Sequence, residues 1–285
     1  MPLRPVKPRG RNRPRLDLAS IAVAPLGIIL ILIAQSIDGV PIGSLIQWPA
    51  ALIVLGGTLA SVMISFTPHE LMSALRAAGR TFLHSQDDTD ALAATMVALS
   101  IRAHRRGLLA LETEIDGVSD HFLREGLILA IDGGSLDALR ELLLIESGAR
   151  EAEEEAPSRV FEAAAGYAPT LGILGAVLGL VQVMQRLGSP GSLGSGIAVA
   201  FVATVYGVGS ANMILLPVAG RLRERATHAA RRRELMTHGL CAIHGRMNPR
   251  LVARKLRSFS IDMPKIEEIA TRLGTIPALP RRQQA

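Results

Sequence analysis

The chain has 285 residues, 49% of them apolar, with a mean hydropathy of +0.32 and a formal net charge of +6. A soluble domain of this length rarely combines those features, whereas a multispanning membrane protein with basic flanks does. The lone cysteine, Cys241, excludes an intramolecular disulfide framework.

Taken in chain order, the pattern predicts an all-α integral membrane protein with four transmembrane helices in two hairpins. A helical cytoplasmic domain separates spans 2 and 3, and a helical tail follows span 4. Residues 1–17 form a basic N-tail with Arg4, Lys7, Arg9, Arg11, Arg13 and Arg15. A basic tail before an apolar run resembles a signal peptide, but this run is too long for a signal core. No small-residue cleavage pattern follows it, so it reads as a retained anchor. Residues 18–66 form the first hairpin, with spans at about 18–37 and 49–66 and Asp38 as its only formal charge. Each span is near the ~20 residues that cross a hydrocarbon core. Asp38, Gly39, Pro41 and Gly43 suit a tight tip, and Trp48 suits the headgroup level.

Residues 67–162 read as a cytoplasmic helical domain. Pro68 starts one helix, with Leu71, Leu75 and Ala78 on one face. Asp87, Asp88 and Thr89 can cap the next, which runs to Gly107. Ser119 and Ser135 are further candidate caps, and Gly133-Gly134 breaks the chain between them. The last segment carries Leu136, Leu139, Leu142 and Leu143 at helical spacing, then Glu151, Glu153, Glu154 and Glu155 as a solvated acidic face. No strand alternation stands out. Residues 163–218 form the second hairpin, with spans at about 166–184 and 196–218 and Arg186 as its only charge. Residues 219–285 are C-terminal helices and tail, opening with Arg221, Arg223, Arg225 and Arg231-Arg232-Arg233. Arginines flank the spans and are missing from the first tip. The positive-inside rule therefore places both termini and the middle domain in the cytoplasm, with both hairpin tips facing outward. The arginine run follows a span directly and serves topology or anionic lipid rather than nucleic acid.

Enzyme signatures are missing: there is no phosphate loop, dinucleotide fingerprint or paired-cysteine metal pattern. His228 and His238 lack a zinc partner set, and neither metal nor cofactor is expected. Spans 3 and 4 are distinctive. Gly172, Gly175 and Gly179 recur at three- and four-residue spacing, which lets another helix approach closely. The fourth span adds Ala200, Thr204, Gly207 and Ala211 on nearly one face. Pro169 and Pro217 free backbone carbonyls, tolerable where these meet water or a neighbouring helix. Neither span holds an Asp, Glu, His, Lys or Arg. A proton relay through a bilayer needs a titratable group, so a second subunit is expected to supply the acid.

Several stretches together resemble the MotA/PomA flagellar stator family, within the superfamily that includes the TolQ and ExbB transducers. They are 168–180, 198–207 and 212–217 in the second hairpin, and Ile53-Val54-Leu55-Gly56-Gly57-Thr58 in the second span. Gly107-Leu108-Leu109-Ala110-Leu111-Glu112 matches the family's cytoplasmic motif, and Ala242-Ile243, Gly245 and Asn248-Pro249-Arg250 its tail signature. The resemblance runs from about residue 18 to 260. It implies a homo-oligomeric ring around B-type chains, each with one span, an ion-carrying aspartate and a peptidoglycan-binding domain. Ion flow then drives torque on the flagellar rotor switch protein, supporting motility and chemotaxis. By resemblance, Thr204 lines the ion path and Pro169 and Pro217 couple conduction to motion, with Ala176, Ala203 and Tyr206 alongside. Sodium-driven relatives usually carry threonine at the positions of Ala176 and Ala203. Alanine there removes oxygen ligands a dehydrating sodium ion would want, which favours protons. Rotor contact is expected from Arg105 and Glu112, with His104, where the family has arginine, and Arg102 nearby. Such charges guide encounter more than they add affinity. The alternatives are a TolQ/ExbB-like proton-driven transducer, usually three-spanned with its N-terminus outside, and a non-conducting membrane scaffold.

Overall fold

The computed structural model describes residues 42–81, 83–84, 89–118, 120–185, 188 and 190–259, with isolated positions at 15–16, 27, 29–30, 33 and 37. The helices are α1 (Trp48–Ser65), α2 (Pro68–Thr81), α3 (Thr89–Arg106), α4 (His121–Ile131), α5 (Leu136–Gln185), α6 (Pro190–Ser210), α7 (Leu216–His244) and α8 (Pro249–Leu256). Three helical stretches among the described residues, Trp48–Ser65, Leu136–Gln185 and Leu193–His244, are long and apolar enough to cross a membrane. The expected first span at 18–37, its tip at Asp38 and the basic N-tail lie almost wholly outside the described residues. So do Asp87, Asp88, Ser119, Arg186 and the tail beyond Phe259.

The fold divides into two units, one from 86–152 and 227–285, the other from 14–85 and 153–226. In the first, α3, α4, α8 and parts of α5 and α7 enclose a core around Met96, Leu111, Leu127, Leu143, Leu240 and Ile243. Small residues admit the large ones: a Cβ on Gly126 would meet the Leu240 side chain, and one on Gly239 the Met96 side chain. The caps are local. Asp120 Oδ1 accepts from Leu123 N at 3.2 Å to start α4, and Ser135 Oγ accepts from Ala138 N at 3.1 Å to start α5. Gly133, at φ 83°, makes the left-handed turn between them. Asn248 Oδ1 accepts from Arg250 N at 2.9 Å, with Pro249 at the first position of α8. The expected leucine stripe on α5 is half realised. Leu139 and Leu143 are buried, whereas Leu136 and Leu142 are 43% and 50% exposed.

In the second unit, Thr67, Pro68 and Glu70 start α2 as a capping box. Thr67 N and Oγ1 both donate to Glu70 Oε2 at 2.8 Å, and Glu70 N donates back to Thr67 Oγ1 at 3.3 Å. The backbone bond from Thr67 leads in holding the Glu70 carboxyl below its usual range. The inward face of α2 is Leu71, Ala74, Ala78 and Thr81, while Leu75 is 63% exposed. Leu75 was grouped with Leu71 by spacing, but small Ala74 lets α2 approach Val62 and Val160 instead. A two-residue antiparallel pairing, Arg15 with His84 and Leu16 with Leu83, departs from the strand-free expectation.

Arg225 closes the far end of α2, its guanidinium donating to the Arg80 and Thr81 carbonyls at 2.8 Å each. Burial, then nearby Arg221, hold its pKa below the usual arginine value. These are two of the last, otherwise orphaned carbonyls of a helix. Arg225→Ala is expected to cost about 1–2 kcal/mol, read as a lower melting temperature in detergent. Arg225→Lys should recover only part, because an ammonium lacks the planar fork that spans two acceptors.

Helix α5 runs unbroken for 50 residues through Pro157 and Pro169. The sequence suggested a separate span beginning near 166. At 1.5 Å per residue the helix is about 75 Å long, more than twice a ~30 Å hydrocarbon core.

Candidate functional site

In the second unit the apolar half of α5 packs tightly on α6. A Cβ on Gly207 would sit 2.6 Å from the Ala168 carbonyl oxygen and 3.0 Å from Gly172 Cα. One on Gly172 would lie 3.0 Å from the Ala203 carbonyl oxygen. At Gly175 the obstacle is Ala203 Cβ at 2.7 Å, and at Gly179 it is Ala200 N at 2.8 Å. All four expected packing glycines thus belong to one seam.

The α6 side of that seam is Gly196, Ala200, Ala203 and Gly207, continued by Ala211. Sequence reasoning placed Thr204 in this row and left out Gly196 and Ala203. The signal was present, since 196, 200, 203 and 207 repeat the spacing of 168, 172, 175 and 179. Gly196 is as tightly placed as the others, its Cβ position being 2.6 Å from Val183 Cγ2.

Thr204 borders the seam, its Cα 3.4 Å from the Cβ position of Gly172, but its side chain is on the exposed face of α6 with Phe201, Val205 and Val208. Its hydroxyl makes only a long bond, 3.4 Å, to the Ala200 carbonyl. Pro169 reaches the same place, its Cα 3.2 Å from the Cβ position of Gly207. Pro169, Gly172, Thr204 and Gly207 therefore form one cluster. Pro217 lies apart from it, just after a π-helical turn at Ala211–Leu215. Proline there removes the donor to the carbonyl four residues earlier, consistent with that irregular turn. Asn212 Nδ2 donates to the Val208 carbonyl at 2.9 Å across the turn.

Ala203 is fully buried in the seam and Ala176 is half-buried. Tyr206 turns away from Thr204. Its hydroxyl donates to the Leu45 carbonyl and accepts from Gln47 N at 3.3 Å, tying α6 to the turn before α1. A second hydroxyl contact, Ser65 Oγ to Tyr167 Oη at 3.0 Å, joins α1 to α5. Among the described residues from 163 to 218 there is no Asp, Glu, His, Lys or Arg. No cluster of metal-ligating groups occurs among the described residues.

In the first unit, His104, Arg105 and Arg106 are exposed in the last turn of α3, where cations complement the helix dipole. Gly107, at φ 86°, reverses the chain so that exposed Glu112 follows after one 3₁₀ turn. Arg102 differs from these. It forms an ion pair with Glu114, and its side chain is only 13% exposed. Arg102→Ala is expected to destabilise this unit by about 1 kcal/mol, whereas Arg105→Ala should stay within about 0.5 kcal/mol. Thermal unfolding of the two variants checks the contrast.

Residues 114–235 match the sequence model of the MotA/TolQ/ExbB proton channel family. The chain is 34% identical to the uncharacterized protein YtxD of Bacillus subtilis, over 84% of this chain and 90% of that one. It is 33% identical to motility protein A of Bacillus subtilis, over 81% and 87% of the two chains. Its fold matches the flagellar MotAB stator complex from Bacillus subtilis at a TM-score of 0.77 and 30% identity, covering 89% of this chain and 98% of that one. With relatives this similar along most of its length, the chain belongs to the MotA/TolQ/ExbB proton channel family.

Proposed function

We propose that this chain is the ion-conducting A-type subunit of a flagellar motor stator, coupling inward proton flow to torque on the rotor. The seam of α5 and α6, bordered by the exposed Thr204 hydroxyl and free of titratable groups, carries this reading. It presents an exposed hydroxyl on a mainly apolar wall without an ion-binding acid. Similarity to motility protein A and to a flagellar MotAB stator complex supports assembly with a B-type partner. In this reading copies of the chain ring that partner, which brings a membrane aspartate. Pro169, packed on Gly207 within the unbroken helix α5, and Pro217, just after the π-helical turn of Ala211–Leu215, serve coupling. Tyr206 contributes by anchoring α6. Ala203 and Ala176 offer no hydroxyl to a sodium ion, which supports protons.

The layout that goes with this function is four spans at about 18–37, 49–66, 166–184 and 196–218 in an inner membrane. The N-tail, the domain 67–162 and the region 219–285 lie in the cytoplasm. Arg105, Glu112 and His104 meet the rotor there, and Arg102 holds the Arg105 turn in place through Glu114. Deleting the gene in a strain with no second stator should leave cells flagellated but paralysed. Normal swimming would overturn the reading. Motility lost on sodium withdrawal, at constant proton-motive force, would overturn the choice of ion. A topology reporter on the N-tail distinguishes this arrangement from a three-span TolQ/ExbB-like transducer.

A further inference from the structure

Within the first unit, residues 136–151, 227–242, Met247 and Lys255 enclose a groove of 720 Å³. Leu136, Leu144, Ala230 and Met247 supply apolar lining, and Leu144 is 53% exposed. Arg140 and Lys255 also line it and act on its two titratable neighbours. His238 is held below the usual imidazole value first by burial, then by Lys255 and Arg140, with Glu234 opposing. Burial raises the Cys241 thiol against the pull of the same two cations. Asp137, Glu151, Glu234 and Arg231 complete the charged lining. In the groove wall, Thr237 is 6% exposed and its hydroxyl has no hydrogen-bond partner. Buried hydroxyls are normally satisfied, so a polar group from elsewhere would complete this site.

The described chain ends at this groove. The Phe259 ring lies 5.7 Å from the ring of His238. The sequence that follows carries Ile266, Ile269, Ala270 and Leu273 at helical spacing, beside Glu267 and Glu268, with Pro264 suited to a first turn. Residues 260–263 can span up to about 14 Å, and ten helical residues about 15 Å, so the segment is close enough and short enough to lie along the groove.

We propose that the groove is the docking site of the chain's own C-terminal segment, residues 264–273. The apolar stripe covers Leu136, Leu144, Ala230 and Met247, and Glu267, on the flank of that stripe, faces Arg140 and Lys255. Cys241, the only cysteine, makes the idea directly testable in the full-length chain in native membranes. Ile269→Cys puts a thiol on the docked stripe, and Thr271→Cys puts one on the opposite face as a control. Oxidation with copper–phenanthroline should give an intrachain disulfide to Cys241 at least tenfold more often for Ile269→Cys, read by peptide mass spectrometry. Equal yields from both variants would overturn the proposal, as would a bond joining two copies of the chain. Maleimide labelling of Cys241 should also be at least fivefold faster in a chain ending at Phe259 than in the full chain. Equal rates would count equally against it.

Discussion

Gly207→Ala is expected to disrupt the second hairpin, lowering stability in detergent by about 1–3 kcal/mol and abolishing motility. The new methyl would meet the Ala168 carbonyl oxygen at 2.6 Å and Pro169 Cα at 3.2 Å. Those are backbone atoms of a helix and cannot rotate aside as a side chain can. The helices must separate, and separation forfeits the van der Waals contact that holds membrane helices together. The same substitution two residues on supplies the contrast. A Cβ on Gly209 meets nothing within 4 Å, so Gly209→Ala should be neutral or favourable by up to about 1 kcal/mol through helix propensity. Thermal melting of the solubilised protein and swimming assays read both variants. A Gly207→Ala protein as stable and active as Gly209→Ala would mean that the seam opens during function or does not persist in the ring.

Much of this seam was legible in the sequence. Gly172, Gly175 and Gly179 announce a close approach by spacing alone, and the apolar run around them announces its setting. The facing row was harder to place. Ala203 and Thr204 follow Ala200 by three and four residues, and both steps stay on one helical stripe. Only the positions of the α5 glycines decide that Ala203 enters the seam while Thr204 borders it. The unbroken helix α5 was hidden for another reason. The sequence separates a cytoplasmic segment ending in an acidic face from a span beginning near 166, yet one helix runs through both and contains Pro157 and Pro169. Arg102 was grouped with Arg105 by proximity in sequence, but the turn at Gly107 brings Glu114 back onto Arg102 alone. Local pattern gave the helices, and long-range partners chose which of their faces matter.

Thr204 is where that choice bears most on function. Its side chain is exposed on α6, and its hydroxyl is held only by a 3.4 Å bond to Ala200 O. A hydroxyl so weakly engaged adds little to the fold, so Thr204→Val, equal in shape and branching, should change stability by no more than about 0.5 kcal/mol. Conduction should respond very differently. If the hydroxyl serves the passing proton or its water, removing it forfeits a charge-assisted hydrogen bond worth about 1.5–3 kcal/mol. That corresponds to a fall in flux of about 10- to 150-fold. Thr204→Ser keeps the hydroxyl and should retain most of the flux. Thr170 provides the internal comparison, because its hydroxyl is already committed to the Tyr167 carbonyl at 2.7 Å. Thr170→Val should therefore leave flux within about twofold, since no free donor is lost. Proton uptake into vesicles holding the assembled complex, with chain abundance measured in parallel, separates the three variants. Unchanged uptake for Thr204→Val would remove this hydroxyl from the ion path and leave the freed carbonyls beside Pro169 and Pro217 as the polar groups to test.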